Sequence, residues 1–148
     1  MRIAIIQSCC VPSRGFFDLI GRCDEYEIFD SAQYIKRHWH NRNRVKTASG
    51  IEWLTIPVIS KGRYEQTIDE VEIEKAWTEK HWRTLELAYR KSPFFARLAP
   101  TVHSWYEQAG RQKRLTDVNA IFIHGIADLL GRTTRILRDT AYPAERPC

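Results

Sequence analysis

Residues 1–30 read MRIAIIQSCCVPSRGFFDLIGRCDEYEIFD, and the order of patterns within them decides the fold class. Residues 2–6, RIAII, are a short apolar run of the kind that makes a buried strand. The run ends at Gln7, and residues 8–14 follow as a loop containing Pro12. Gly15 opens a pattern in which Phe16, Leu19, Ile20 and Cys23 recur at helical spacing. Residues 26–29, flanked by acids, read as a second strand. Strand, loop, helix and strand make a βαβ unit, so the chain is expected to be α/β. Ligands of such units sit beyond the carboxyl ends of the strands. Gln7 and Asp30 both fall there, which makes them site candidates by topology and expected near neighbours.

The stretch that follows carries the charge. Residues 33–46 read QYIKRHWHNRNRVK, with Lys36, Arg37, Arg42, Arg44 and Lys46, two histidines, two asparagines, Tyr34, Trp39 and no acid. Just upstream stand Asp24, Glu25, Glu27 and Asp30, so positive charge is concentrated rather than spread. Arginine offers paired planar donors, lysine a point charge, and asparagine both donor and acceptor. Together they suit a phosphate, a carboxylate or an array of sugar hydroxyls. A solvated basic loop is the plain alternative; the interleaved Asn and aromatic residues argue for binding. Because this segment follows directly from Asp30, it must cross the strand ends. One pocket is expected there, lined by Gln7, Gly15, Asp30, Tyr34, Lys36, Asn41, Arg42 and Arg44. Trp39 or Trp53 would form its apolar wall, and Asp30 would pair with one of the cations.

Further along, residues 44–48, Ser49-Gly50 and residues 51–58 read as a β-hairpin with a Ser-Gly turn. Residues 67–73 alternate imperfectly, as another short strand would. From Lys75 the period becomes helical: Trp77, His81, Leu85, Ala88 and Tyr89 share a face until Ser92-Pro93 stops it. Short helices are expected over 94–98 and around 102–108, then a basic linker over 110–115. Asp117 is expected to cap a long last helix carrying Val118, Ile121, Phe122, Ile126, Leu129, Leu130, Thr133 and Leu137, ended by Tyr142-Pro143. The reading is a single domain over residues 1–148, with a Rossmann-like βαβ start, a small mixed sheet with a hairpin, and a helical C-terminal part. With no strand after the last helix the domain looks incomplete. Its exposed face calls for further chain or a partner, a second copy in a homo-oligomer included.

Composition narrows the function. A chain of 148 residues defaults to one domain with a real core. Hydrophobic residues make up 43%, charged residues 28%, and mean hydropathy is -0.45, the balance of a globular protein. No apolar run reaches the length of a membrane span, and the start lacks a signal-peptide pattern, so a cytoplasmic location is expected. A net charge of +5 and a pI of about 9.2 favour anionic partners, without choosing among nucleic acid, nucleotide and anionic lipid. Cys9, Cys10, Cys23 and Cys148 include no C-x-x-C, which excludes a disulfide scaffold and a zinc ribbon.

The loop from Gln7 to Gly15 has neither G-x-G-x-x-G nor a Walker lysine, so the standard dinucleotide and P-loop readings fail. Gly15 could still turn helix N–H groups toward an anion. Cys9 or Cys10, near that helix start, is a nucleophile if its pKa is lowered and a buried apolar filler otherwise. His38 and His40 lack a further ligand, so no metal site is expected, and nothing calls for a cofactor. His40 suits a general base. His81 is either a core histidine or a substrate contact. Asp30 either holds a ligand or is paired with Arg42 or Arg44.

These residues carry a likeness. The chain resembles the WbqC-like family of bacterial proteins, which opens on an apolar strand followed by Gln-Pro-Tyr, an aromatic pair, Pro, Gly-Tyr-Phe and Leu-Ile. Gln7, Pro12, Gly15, Phe17, Leu19 and Ile20 stand in that frame. So do Asp30, Gln33, Tyr34, Lys36, Arg37, Trp39, Asn41, Arg42, Asn43 and Arg44, which match its acidic strand end, Gln-Tyr, Lys-Arg and Asn-Arg-Asn-Arg. Trp53-Leu54-Thr55 with Pro57, the helix from Trp77 to His81, and Tyr89-Arg90-Lys91 with Phe95 also fit, so the likeness runs to about residue 135. The chain departs where Ser8-Cys9 replaces Pro-Tyr, where Cys10 and Val11 replace aromatic residues, and at Ser31-Ala32.

The resemblance implies a transferase role in O-antigen or surface-polysaccharide biosynthesis, with transfer of an aminoacyl group such as glycine as one form. On that reading Gln7, Asp30 and Tyr34 contact the reacting groups, while Gly15, Lys36, Asn41, Arg42, Asn43, Arg44 and His81 hold the substrate or its anion. The partner would be a small anionic molecule, a nucleotide sugar or an activated acyl donor. Two alternatives stay open. The segment 33–46 could bind nucleic acid such as tRNA, although no RRM, KH or helix-turn-helix pattern is present. Family members also usually continue further, which would make this chain an inactive, truncated form.

Overall fold

The computed structural model describes residues 1–139. β1 (Ile3–Ile6), α1 (Arg14–Ile20) and β2 (Glu25–Ile28) form the expected βαβ unit, with β1 and β2 parallel and Ile3 opposite Glu25. Phe17 and Ile20 of α1 pack on Tyr26 and Ile28, and the Phe16 ring lies 5.3 Å from that of Tyr26. β1 is not the buried strand its composition implied. Ile3 and Ile5 are 49% and 56% exposed, because alternation puts them, with Glu25 and Glu27 of β2, on the sheet face opposite Ala4, and only Ala4 joins the cluster beneath α1.

The larger correction lies at the edge of the sheet away from β1. The last helix, α4 (Leu115–Leu129), stops short of Thr133 and Leu137. Gly131, at φ +64°, turns the chain, as a left-handed residue after a helix does. β5 (Arg135–Arg138) then pairs in parallel with β2, Arg135 opposite Glu25, to give the order β1-β2-β5. A strand therefore does follow the last helix. Leu137 had matched the helical period by chance; the glycine was the stop signal. Asp117 is not the cap, which is Arg114; it sits in the first turn and pairs with Arg138 at 2.8 Å. The expected stop at Tyr142-Pro143 lies outside the described residues.

β3 (Arg42–Thr47) and β4 (Gly50–Thr55) make the hairpin. Thr47 opposes Gly50, so the turn is Ala48-Ser49, one residue earlier than expected. Gly50 has φ +122°, a conformation that side-chain-bearing residues rarely adopt. Gly50→Ala is therefore expected to cost about 1–3 kcal/mol in urea unfolding, and an unmoved midpoint would contradict the strain.

Residues 67–73 are not a strand. Ile68–Glu70 is a 3₁₀ turn closed by a capping box between Thr67 and Glu70, and only isolated bridges, Gln33 to Thr67 and Val58 to Ile73, tie this stretch to extended chain. α2 (Thr78–Tyr89) follows as expected. The two short helices beyond it are one, α3 (Phe95–Ala109), which runs through Pro100. Pro100 removes one intrahelical bond. Burial of Tyr106 and Ala109, and the Trp82 ring stacked on Phe95, hold the helix across it.

Two apolar clusters result. One gathers Ile56, Ile68, Val71, Trp77, Tyr106 and Leu115; the other lies under the parallel sheet. α4 joins them, giving Val118 and Phe122 to the first and Ile123 and Ala127 to the second. Among the described residues no helix is long and apolar enough to cross a membrane.

Candidate functional site

The carboxyl ends of the strands meet as the βαβ reading required. The Phe29 N–H donates to the Ile6 carbonyl at 3.0 Å, which brings residues 7 and 30 to the same edge. The Asp30 carboxyl, 2% exposed, accepts from the Ser8 N–H at 2.8 Å and from the Thr116 hydroxyl at 2.5 Å. Asn119, one turn further along α4, donates to the Ser8 hydroxyl at 2.9 Å and to the His40 carbonyl at 3.0 Å. His40 is buried, with Nδ1 3.1 Å from the Ser8 carbonyl. A carbonyl only accepts, so Nδ1 carries the proton. Burial holds this imidazole below its ordinary pKa, so it is neutral near pH 7. At the end of β5, the buried Asp139 carboxylate accepts from the Ser31 N–H at 2.7 Å. This polar knot locks three strand ends to α4.

Asp30 has no ion pair with Arg or Lys among the described residues. A backbone N–H and a hydroxyl occupy its oxygens instead. Arg42, Arg44 and Lys46 lie elsewhere, on the hairpin. Alternation along β3 puts Arg42, Arg44 and Lys46 on one face, and Arg44 stands opposite Trp53 on β4. The Arg42 guanidinium lies 4.3 Å from the Trp53 ring centre, and that of Arg44 lies 5.5 Å from both Trp39 and Trp53. The two indoles are 5.5 Å apart. Arg42 also donates to the Arg37 carbonyl.

Asn43, on the opposite face, anchors the loop after β1. Its Nδ2 donates to the Val11 carbonyl at 2.7 Å and to the Cys10 carbonyl at 3.1 Å, while the Cys10 N–H donates to the Trp39 carbonyl at 2.9 Å. These bonds hold Val11 at φ +44°, a strained setting for a β-branched residue. Loop and hairpin enclose a pocket of about 560 Å³, lined by Cys9, Pro12, Ser13, Phe16, Trp39, Asn43, Arg44, Val45, Lys46 and Ile51. No acidic side chain is among its lining residues.

The single expected pocket is therefore divided. Arg44 and Asn43 line the cavity, and Trp39 forms its aromatic wall. Gln7, Gly15, Asp30, Tyr34, Lys36, Asn41 and Arg42 do not line it. Gln7 is half-buried, and Gly15 is exposed inside the first turn of α1. Tyr34 is buried, with its hydroxyl pKa raised by burial. Lys36 lies over the Tyr64 ring at 4.9 Å. Asn41 is buried and donates to the Ile56 carbonyl at 2.9 Å. His81 is buried on α2, with Nε2 3.0 Å from the Thr55 carbonyl. Burial pushes the Cys9 thiol up to about 11 and the Cys10 thiol up to about 12, so neither is the activated thiolate that a helix start could have made. Among the described residues no group of three or more His, Cys, Asp or Glu stands together as a metal site.

Sequence reasoning passed over Ser8, Thr116, Asn119 and Asp139, and left Lys46 and Phe16 out of the site. Thr116 and Asn119 had a readable signal, two polar residues three apart on the most apolar helix of the chain.

No solved structure matches the chain. It is 40% identical over 142 residues to the uncharacterised protein Rv1507c of Mycobacterium tuberculosis. That match covers 95% of this chain, which spans 61% of the relative's length. The model of the WbqC-like protein family matches residues 7–146, a range that contains the Gln7 strand end, the Asn43-anchored loop and the basic hairpin. The chain belongs to the WbqC-like protein family.

Proposed function

We propose that the chain binds the anionic part of an activated sugar or acyl donor, and that it serves a transferase reaction of bacterial surface-polysaccharide assembly. The observation that carries this reading is the pocket of about 560 Å³ whose lining combines Arg44 and Lys46 with Trp39 and Phe16 and contains no acidic side chain. Cations beside low-polarity walls hold a phosphate more strongly than the same cations in open water. Asn43 sets the loop that closes the pocket, while Asp30, Ser8 and Asn119 fix the strand ends beneath it. What the family likeness implies supports the polysaccharide context; aminoacyl transfer is one chemistry compatible with an anion-holding site.

Titration with inorganic pyrophosphate, uridine diphosphate sugars and an aminoacyl adenylate, followed by the Trp39 indole signal, tests the reading. At least one should bind, and Arg44→Ala should weaken it roughly ten- to hundredfold, the worth of one charge-assisted contact. Lys61→Ala, on an exposed loop outside the pocket, serves as the control. Failure of every anion to bind would remove the proposal.

A second reading rests on Arg42, Arg44 and Trp53 of the hairpin stacked with Trp39 of the preceding loop, both indoles being exposed. Such a face can stack bases and neutralise phosphates of a single strand. Binding in a gel-shift series that weakens steeply with salt would favour it.

A further inference from the structure

A smaller cavity of about 270 Å³ adjoins the cationic pocket, and Pro12, Ser13, Asn43, Arg44 and Val45 line both. The size difference matters. The larger volume lies within the roughly 300–1,000 Å³ typical of whole small-molecule sites, and the smaller lies below it. The smaller cavity is therefore an annex that takes part of a ligand. Leu54, Leu85 and Tyr106 give it apolar walls, and His81 is its buried basic group.

The state of His81 follows from one bond. Its Nε2 lies 3.0 Å from the Thr55 carbonyl oxygen, which can only accept, so Nε2 carries the hydrogen and Nδ1 is left as the acceptor. No described residue hydrogen-bonds to that Nδ1. The rings of Trp77 and Tyr106 stand edge-on at 4.9 and 6.1 Å, which fixes the plane of the imidazole. Burial lowers its pKa, in keeping with a neutral ring. On the walls made by Leu54, Leu85, Tyr106 and His81, as distinct from the Arg44 wall shared with the larger pocket, a charged group would be poorly solvated, whereas an amide or hydroxyl that donates one hydrogen bond would be matched.

We propose that this annex receives a short uncharged branch, carrying an N–H or O–H donor, of the ligand whose anionic part rests on Arg44 and Lys46, with His81 accepting that donor. The proposal rests on the anion-binding reading of the larger pocket. The ligand class it names is a phosphate-bearing molecule with a small amide- or hydroxyl-bearing acyl group, which spans the wall shared by the two cavities. His81 is then a residue that selects the branch by its hydrogen-bonding group, a task its place in the apolar core does not require.

The test uses the whole chain and two separate probes, read by NMR. Propionamide reports on the annex through the Leu54 and Leu85 methyls and the His81 ring. Pyrophosphate reports on the cationic pocket through the Trp39 indole. Propionamide is expected to bind weakly, as so small a fragment must, and roughly tenfold more tightly than N,N-dimethylpropionamide, which has no N–H donor. The gap should close in His81→Phe. Should that variant not fold, Leu85→Trp, which fills the annex from a half-buried position, is expected to abolish the propionamide shifts and spare those from pyrophosphate. Equal affinity for the two amides, or no shift at Leu54, Leu85 and His81, overturns the annex while leaving the anion site standing. Should none of pyrophosphate, the uridine diphosphate sugars and the aminoacyl adenylate move Trp39, the anion site is overturned, and the two-part ligand with it.

Discussion

Asp30→Ala is expected to lower the unfolding free energy by about 3–5 kcal/mol, one of the two largest effects anticipated for this chain. The carboxyl is almost fully buried, and both oxygens are engaged by groups from distant parts of the sequence, Ser8 and Thr116. Removing it leaves a buried N–H and a buried hydroxyl without partners and opens a small void between β2 and α4. Asp30→Asn should be far milder, about 1–2 kcal/mol. An amide oxygen can still accept from Ser8, and the Thr116 hydroxyl can turn to accept from the amide nitrogen. Urea unfolding of the two variants gives the comparison. An alanine variant within about 1 kcal/mol of the parent would mean that the knot does not hold the strand ends.

The second large effect is on acid stability. His40 and His81 are both buried, and burial depresses the pKa of each below the ordinary value of 6.5. The unfolded chain therefore takes up protons on these rings at a higher pH than the folded one. Their contribution is fully present above 6.5 and is lost as pH falls from there through the lower folded values. Each histidine that protonates only on unfolding adds a slope of up to about 1.4 kcal/mol per pH unit, and the pair doubles it. The exposed Asp24 and Glu72, whose carboxyl pKa values are lowered by the Arg2 N–H and by Arg63 respectively, act in the lower carboxylate range. Unfolding free energies measured at steps from pH 7.5 to about 5 should fall steadily, and His40→Asn should flatten part of the fall. A level profile across that range would exclude the histidines as its source.

The βαβ start was legible because a four-residue apolar strand, a helix with Phe17 and Ile20 on one face and a second strand each carry a local period. The hairpin was legible for the same reason, and its turn slipped by one residue because Gly50 serves as a strand residue with positive φ rather than as a turn centre. β5 was not legible. Its residues, RILR, have no period of their own, and their place is set by pairing with a strand 110 residues away. The site divided for a related reason. Charge counting can locate Arg44 and Lys46, but whether Asp30 faces those cations or the Thr116 hydroxyl depends on where α4 docks, and no local pattern encodes that. Asn43 was found as a polar binder; its hydrogen bonds to the backbone of residues 10 and 11 required the loop to be seen beside the hairpin.

The order β1-β2-β5 also dictates when the three-stranded sheet can close during synthesis. β2 is made early, and its partner on one side is at hand within some twenty residues, but its other edge stays bare until Arg138 has left the ribosome. Until then β2 has no strand beside it on that edge, an open template for pairing with another chain. Asp30 waits almost as long for Thr116, 86 residues downstream. The polar knot is thus a checkpoint as well as a brace. Its last hydrogen bond, from the Ser31 N–H to Asp139, closes only in a chain made past the end of β5, so shorter nascent chains carry an open βα unit that a chaperone would have to shield.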